Sequence, residues 1–319
     1  MSIVYLAPLE GVTDAVFRRT HHACFGGVSR YFIPFVSPTQ NLAFTPRDLA
    51  AIAPEFNADV PAVPQLLAKD AALFSWAAHE LADMGYSEVN LNLGCPSGTV
   101  TAKGKGSGLL ADYFALERFL DGIFACAPLP ISIKTRIGYA SADEFERLLA
   151  LFSRYPIREL IIHPRTRGEF YKGTPHRDVF ARAFSETALP LCYNGDLFSA
   201  EDCRILLAAF PQTHALMIGR GLITNPALAQ ELCGGEALTP AVLRNFHDWL
   251  FAAYCEKYPP HVALGRMREI AKHMVCCFQQ PEKPRKAIRK ASNLRAYSDA
   301  IDSLFDTHEF RAHPAFQPD

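Results

Sequence analysis

The chain has 319 residues, of which 49% are hydrophobic, so it can bury the core of one large domain and a smaller appendage. Its net charge of −1 at pH 7 excludes the strongly basic composition of many nucleic-acid-coating proteins, and no stretch approaches the ~20 apolar residues that a membrane span requires. Nine cysteines without a Cys-x-x-Cys pair, and an N-terminus without a basic segment before an apolar one, predict a cytoplasmic protein in a reducing compartment.

Short apolar segments alternate with amphipathic ones along the first 218 residues. Eight of them have the composition and length of strands, at 3–6, 31–36, 62–67, 89–93, 130–135, 159–162, 189–193 and 215–218. Helical spacing or a capping residue predicts helices between them, at 14–24, 46–52, 70–84, 116–124, 143–152, around Phe180 and at 200–210. Eight such alternations predict an α/β fold of the (β/α)8 TIM barrel type, whose usual size is about 250 residues, and a doubly wound sheet is the alternative.

The pattern changes after Leu232. The sequence Cys-Gly-Gly-Glu at 233–236 interrupts it, and only helical periodicity follows from Thr239. We therefore predict a catalytic barrel over 1–235 and an all-helical domain over 239–319. One apolar face of the second domain contains Met267, Ile270, Ala271, Met274, Cys277 and Phe278. Residues 308–319 have no periodicity, and we expect them to be loosely ordered.

Cys95 lies where the fourth strand ends. Val89, Leu91 and Leu93 alternate with polar residues, and Pro96 prevents the strand from continuing. Ligands and chemistry collect at the carboxyl ends of parallel strands, so this thiol is placed for a reaction, although packing is the commoner role of a cysteine. The glycines at 104, 106 and 108 predict a close approach of the backbone to another group.

Polar residues, glycines and one proline lie at the ends of seven of the predicted strands. They are Pro8 after strand one, Gln65 in strand three, Asn92 in strand four, Lys134 in strand five, His163 after strand six, Asn194, Gly195 and Asp196 after strand seven, and Gly219 and Arg220 after strand eight. A barrel brings all of them to one rim. Glycines, a helix N-terminus and an arginine after the last two strands are typical of a barrel phosphate site, while each residue taken singly also fits a structural role.

Positive charge is concentrated between Arg266 and Arg295. This segment contains nine Lys and Arg residues against two Glu, a local net charge of +7. Its densest part follows Pro284, which we predict to open a helix. Two adjoining rows on that helix, here called the basic face, would consist of Arg285, Lys286, Arg289 and Lys290. We predict that the basic face binds nucleic-acid phosphates, and an ordinary solvated helix surface is the alternative.

The motifs at the strand ends resemble those of the tRNA-dihydrouridine synthases. They are Ala7-Pro-Leu-Glu-Gly-Val-Thr-Asp14, Asn92-Leu-Gly-Cys-Pro-Ser97 with Lys103-Gly-Lys-Gly106, Lys134-Thr-Arg-Ile-Gly138, His163-Pro-Arg-Thr-Arg167 with Tyr171, Asn194-Gly-Asp196 and Gly219-Arg-Gly221. The resemblance runs from residue 3 to about 225, and the helical tail resembles that family's tRNA-binding domain. Pro164 departs from the Gly or Ala that many members have there, which bears on the path of the loop after His163.

The resemblance implies a TIM-barrel enzyme that reduces selected uridines in tRNA, with FMN as cofactor and NADPH as electron donor. Cys95 would be the general acid and Asn92 would face the uracil. The flavin would be held by Pro8, Gln65, Lys134, His163, Asn194, Gly195, Asp196, Gly219 and Arg220. We expect tRNA as the partner, with the uridine extruded from its stack, and we expect a monomer without a metal ion or a membrane partner.

The implied reaction agrees with these residue types. Reduction of the uracil C5–C6 bond needs a hydride at C6, which reduced FMN would supply, and a proton at C5. A thiol ordinarily has a pKa of about 8.5 and is protonated near neutrality, so Cys95 can be the acid. Lys134 would stabilise the anionic reduced flavin.

Two other functions remain open from the sequence. An FMN dehydrogenase of a free pyrimidine, similar to the dihydroorotate dehydrogenases, shares an Asn-x-x-Cys-Pro-like loop but lacks a basic helical tail. A flavin-free RNA-binding protein could use the same barrel without catalysis. Bound flavin distinguishes the two enzymes from the binding protein.

Overall fold

The computed structural model describes residues 3–311. Its centre is a barrel of parallel strands with helices packed around the outside. The strands are β1 (Ile3–Leu6), β2 (Val28–Phe32), β3 (Ala62–Val63), β4 (Gln65–Leu66), β5 (Val89–Leu93), β6 (Ile131–Arg136), β7 (Leu160–His163), β8 (Leu191–Tyr193) and β9 (Ala215–Ile218). Neighbouring strands follow the chain, and β9 pairs with β1, as a TIM barrel requires.

One short segment closes the barrel. Residues 62–66 contain β3, which pairs with β2 through Tyr31 and Ala62, and β4, which pairs with β5 through Gln65 and Asn90. Pro64 separates β3 from β4, because a proline has no N–H to donate to a strand ladder. The strand predicted over 62–67 is therefore two short strands at one position of the barrel. The predicted (β/α)8 architecture is confirmed.

Helices of the barrel follow its strands. They are α1 (Ala15–Cys24), α2 (Pro46–Ile52), α3 (Ala71–Asp83), α4 (Gly98–Thr101), α5 (Tyr113–Cys126), α6 (Glu144–Phe152), α7 (Arg177–Glu186), α8 (Ala200–Ala209), α9 (Arg220–Thr224) and α10 (Leu228–Leu232). Side chains of Asp14, Asp70 and Asp112 cap α1, α3 and α5 by accepting from a backbone N–H three residues later, at 2.9 to 3.1 Å. Each such cap contributes about 1 kcal/mol. The short helices α4, α9 and α10 were not predicted, since four or five residues are too few for a periodic pattern.

Alternation along the strands separates two apolar layers. In β9, Leu216 and Ile218 belong to the layer between sheet and helices, whereas Ala215 and Met217 belong to the barrel interior. The interior layer also contains Tyr5, Ala7, Phe32, Val63, Ile161 and Cys192. Each fully buried large apolar side chain contributes roughly 2 kcal/mol. Side chains thus fill the barrel, which restricts ligand access to the ends of the strands.

Four α-helices lie between residues 239 and 311, the described part of this region. They are α11 (Pro240–Lys257), α12 (Pro260–Met274), α13 (Glu282–Lys290) and α14 (Leu294–Thr307). All six residues of the apolar face predicted in this region are buried. The helix with the basic face begins at Glu282, two residues before Pro284. A proline is tolerated there, because the first four N–H groups of a helix have no partner within it.

Two hydrogen bonds and a contact between aromatic rings fix the helical region to the barrel. Tyr254 Oη donates to Asp14 Oδ1 at 2.8 Å, and Arg266 Nη1 donates to Gly11 O at 2.7 Å, both in the connection between β1 and α1. Phe246 of α11 packs edge-on against the ring of Phe17 in α1, with 5.9 Å between the two ring centroids. These contacts hold α12 beside the carboxyl ends of the strands.

The described part of segment 308–319 differs from the prediction. Gln279 N donates to Glu309 O, and Arg311 N donates to Cys277 O, both at 2.8 Å. Phe310 also forms a β-bridge with Phe278. Residues 308–311 are therefore held by backbone pairing rather than loose, and residues 312–319 lie outside the described residues.

Candidate active site

The carboxyl ends of the strands surround a cavity of about 730 Å³, a size typical of small-molecule sites. Eleven residues that the sequence singles out in the barrel all line it: Pro8, Gln65, Asn92, Cys95, Lys134, His163, Asn194, Gly195, Asp196, Gly219 and Arg220. The barrel thus brings together the ends of seven predicted strands, as expected.

Cys95 is held by its own loop. Its backbone N–H donates to Asn92 Oδ1 at 2.9 Å, and its carbonyl accepts from Ser107 N and Oγ at 3.2 and 2.8 Å. Gly106 has a φ of +58°, and a Cβ there would lie 3.1 Å from Cys95 Cβ. A Cβ on Gly108 would lie 2.8 Å from the Thr101 backbone. The close approach predicted from the glycines is therefore made to the protein's own backbone, where it positions Cys95.

A chain of hydrogen bonds orients the amides beneath that loop. Asn92 Nδ2 donates to Gln65 Oε1, and Gln65 Nε2 donates to Asn90 Oδ1, both at 2.7 Å. Asn90 Nδ2 donates to Ser132 Oγ at 2.9 Å, which donates to Glu88 Oε1 at 2.7 Å. The carboxylate of Glu88 can only accept a hydrogen bond, so Ser132 must donate to it. This fixes the direction of every other hydrogen bond in the chain, up to Asn92. Both ends of the Asn92 amide thus have protein partners, which leaves one Nδ2 hydrogen for a ligand.

Lys134 supplies positive charge to the cavity. It pairs with Asn92 across β5 and β6, so its side chain lies beside the strand that leads to Cys95. Burial, and then the guanidinium of Arg136, lower its pKa from 10.5 to about 8. Within residues 3–311 no carboxylate forms an ion pair with it. Such an ammonium fits a site for an anionic group.

His163 is held in one neutral form. Burial and then the positive charges of Arg136 and Lys134 place its pKa well below the ordinary 6.5. Arg165 Nη1 lies 3.2 Å from His163 Nε2. A guanidinium can only donate, so Nε2 accepts and the proton is on Nδ1. His163 therefore offers the cavity a neutral ring whose donor is Nδ1–H.

Asp196 joins the loops after β7, β8 and β9. Its carboxylate accepts from Arg220 Nη2 at 2.9 Å and from Arg165 Nη1 at 3.1 Å, and it forms an ion pair with the second nitrogen of Arg165. Arg165 is fully buried. Gly221 lets two of these loops touch, because a Cβ there would lie 2.1 Å from Leu197 O. Asp196 thus orients the arginine at the N-terminus of α9.

Comparison with protein families identifies the chain. A model described as dihydrouridine synthase (Dus) matches residues 5–314. The chain belongs to the dihydrouridine synthase family. Dihydrouridine formation adds two hydrogens across a C=C bond, so the members of this family are oxidoreductases.

Similar proteins span nearly the same length. The chain is 29% identical to the tRNA-dihydrouridine synthase B of Pasteurella multocida, over 96% of this chain and 92% of that protein. It is 30% identical to the tRNA-dihydrouridine(16) synthase of Ralstonia nicotianae, over 76% of each. A solved structure of morphinone reductase superposes with a TM-score of 0.52 and 11% identity, over 75% of this chain and 87% of that one. At this identity the likeness to morphinone reductase shows the barrel fold alone.

Sequence reasoning missed one wall of this dihydrouridine synthase cavity. Glu269, Lys272 and His273 of α12 line it together with the barrel residues. Lys272 Nζ donates to Glu269 Oε2 at 2.6 Å. Lys272 belongs to the basic segment between Arg266 and Arg295, but nothing local in the sequence shows that α12 docks at the barrel rim.

Pro164 is accommodated without displacing His163 from the cavity. It is buried, and its carbonyl accepts from His176 N at 2.7 Å. A Cβ on Gly195 would lie 3.5 Å from the Pro164 ring. The loop after β7 therefore packs against the loop after β8.

The basic face lies outside the cavity. Lys286, Arg289 and Lys290 are exposed, whereas Arg285 is half-buried and donates to Cys276 Sγ at 3.5 Å.

In residues 3–311 no group of three or more His, Cys, Asp or Glu residues is arranged to hold a metal ion. None of the described helices is long and apolar enough to cross a membrane.

Proposed function

We propose that this protein is a tRNA-dihydrouridine synthase that uses FMN and NADPH to reduce the C5–C6 bond of specific uridines in tRNA. The observation that carries the proposal is the placement of the Cys95 thiol, in the loop after β5, and the unpaired Lys134 ammonium, on the neighbouring strand β6, at one cavity. A proton donor beside a site for an anionic cofactor is the combination that this reduction needs. We further propose that the chain is cytoplasmic and acts as a monomer.

The residues around the cavity fit FMN. Lys134 would neutralise the anionic edge of the flavin, and His163, Gln65 and Pro8 would contact its ring. Arg220 and the backbone N–H groups at the start of α9 would hold its phosphate, with Asn194, Gly195, Asp196 and Gly219 in the surrounding loops. When bound and reduced by NADPH, FMN supplies the hydride for C6.

Cys95 would donate the proton to C5 of the uracil. Its loop is fastened at both backbone groups, so the Cys95 backbone keeps one position relative to the cavity. Asn92 holds the Cys95 N–H with Oδ1, and its remaining Nδ2 hydrogen would face a carbonyl oxygen of the uracil. The base would have to leave its stack to reach this depth.

The helical region that begins at Thr239 would bind the tRNA body. The three exposed residues of the basic face lack carboxylate partners among the described residues, so they are available to phosphates. Contacts of this kind are independent of sequence, and the barrel would select the base. Because α12 forms part of the cavity wall, a tRNA bound by the helical region would lie beside the cavity that selects the base.

The test uses purified protein, tRNA from a strain that lacks this gene, and NADPH. We expect flavin absorbance bands and dihydrouridine by mass spectrometry. Cys95→Ala should keep its flavin and its NADPH oxidation but lose about 100-fold or more in dihydrouridine formation. Cys126→Ala, an exposed cysteine at the end of α5, is the matched control and should behave as wild type.

Three results would contradict the proposal. Normal tRNA reduction by Cys95→Ala would remove the thiol from the proton step. A colourless protein that cannot be reconstituted with FMN would favour the RNA-binding alternative. Reduction of orotate without reduction of tRNA would favour the free-pyrimidine enzyme.

A further inference from the structure

Three lysines converge at the barrel rim outside the cavity. Lys69 lies three residues after β4, and Lys103 and Lys105 lie in the loop after the neighbouring strand β5. Gly104 has a φ of +65°, and a Cβ there would lie only 3.6 Å from Lys69 Nζ. The ammonium of Lys69 thus lies against the backbone that joins the other two lysines. We call this cluster the rim lysines.

The rim lysines are fastened to the loop that carries Cys95. Lys103 N and Lys105 N both donate to Val100 O, at 3.1 and 3.3 Å, which closes a tight turn. The next residue, Gly106, is the one whose Cβ would lie 3.0 Å from Cys95 O. One rigid loop therefore carries both the thiol and two of the three positive charges.

The charges of the rim lysines are not neutralised within the described protein. Two other cations near the cavity do have carboxylate partners, Arg220 in Asp196 and Lys272 in Glu269. None of the rim lysines forms an ion pair with a carboxylate of residues 3–311. Burial, and then the charges of Lys103 and Lys69, lower the pKa of Lys105.

The nearest aspartates in sequence have other partners. Asp70 accepts from Leu73 N at 2.9 Å, and Asp112 accepts from Ala115 N at 3.0 Å, each as a helix cap. Three neighbouring ammonium groups repel one another, and an anion bound between them would relieve that repulsion.

We propose that the rim lysines bind the tRNA backbone phosphates that flank the uridine in the cavity. This inference rests on the proposed function. A base that reaches Cys95 leaves its sugar and phosphates at the cavity mouth, beside the loop of residues 98–108. Lysines on flexible stems bind phosphates as point charges, independently of the neighbouring bases. The rim lysines therefore clamp the strand on the barrel side, opposite the helical region.

The experiment compares two triple variants with equal loss of charge. The first combines Lys69→Gln, Lys103→Gln and Lys105→Gln. The control combines Arg118→Gln, Arg182→Gln and Arg204→Gln, exposed residues on the outer helices α5, α7 and α8. Binding of tRNA by the flavin-loaded proteins is measured over a range of salt concentrations, without turnover. Michaelis constants for NADPH and NADH, flavin content and dihydrouridine formation are measured in parallel.

The rim variant should bind tRNA about tenfold or more weakly near 0.1 M salt, and its slope of log affinity against log salt should fall by up to about 3. Its flavin content and its Michaelis constants for both nucleotides should equal those of the control. An unchanged slope and affinity, with wild-type protein still reducing tRNA, would overturn this site and leave the proposed function intact. A raised Michaelis constant for NADPH but not for NADH, with normal tRNA binding, would also overturn it and assign the lysines to the nucleotide's extra phosphate. Absence of tRNA reduction by the wild type would instead refute the proposed function.

Discussion

Replacement of Lys134 by methionine should change flavin binding and the stability of the flavin-free protein in opposite directions. Methionine has a similar length and no charge, so it removes the ammonium with little change in packing. Loss of a charged partner should weaken FMN binding about 10- to 100-fold. The same change should stabilise the flavin-free fold, because it removes a charge that the protein buries without a counter-ion.

The magnitude follows from the pKa of Lys134. Folding lowers it from 10.5 to about 8, and at 1.36 kcal/mol per pKa unit the charged lysine costs the fold about 3 kcal/mol near pH 7. Between pH 8 and 10.5 the unfolded chain binds the proton more than the folded one, so stability rises with pH across this window. The advantage of Lys134→Met should therefore be about 3 kcal/mol at pH 7 and about 1 kcal/mol at pH 9.5.

Urea denaturation of flavin-free wild type and variant at pH 7 and 9.5 measures this difference, and flavin fluorescence on titration measures FMN binding. Lys172→Met is the matched control for stability, because Lys172 also lines the cavity but is exposed. It should leave the urea midpoint unchanged at both pH values. A Lys134→Met variant that is less stable than wild type at pH 7, or whose advantage does not shrink with pH, would refute the reasoning.

Four further variants test other charged residues. Asp196→Ala leaves Arg165 buried without its counter-ion and should lower the free energy of unfolding in urea by about 3 kcal/mol. An unchanged urea midpoint would show that the ion pair does not stabilise the fold. Arg220→Ala should lose FMN during purification and Arg220→Lys should restore part of it, whereas full retention by the alanine variant would exclude a phosphate contact. Replacement of the whole basic face by Gln should lower the salt slope of tRNA binding by up to about 3, since Arg285 is engaged with Cys276 and contributes less. An unchanged slope would mean that the basic face is solvated surface.

Most of the barrel could be predicted because its signals are local. The alternation in β5, the proline that ends it and the aspartates that cap the following helices each act within a few residues. The predicted elements were wrong or incomplete where those local signals are weak. Pro64 divides one predicted strand into two, and α9 is too short to show a period. The strand ends could then be assigned to one rim, because all strands of a TIM barrel run the same way.

Side-chain partners could not be predicted in the same way. The motif at 194–196 marked Asp196 as a site residue, but its pairing with Arg165 and Arg220 depends on how three loops fold over one another. Arg285 belongs to a regular basic pattern, yet its guanidinium contacts Cys276. Such contacts join groups whose distance is set by packing, which a periodic pattern does not encode.

The amino-acid sequence alone determined the parallel barrel, the break after Leu232 and the set of polar residues at the strand ends, because backbone preference and alternation of faces are properties of neighbouring residues. Tertiary packing decided what these residues do together. It brought α12 to the cavity, set Gly106 against Cys95, and placed Lys69 over Gly104 beside two other lysines. The physical reason is that a pKa, an ion pair or a cluster of unpaired charges depends on distances between segments far apart in the chain. Those distances exist only after the helices and loops have docked.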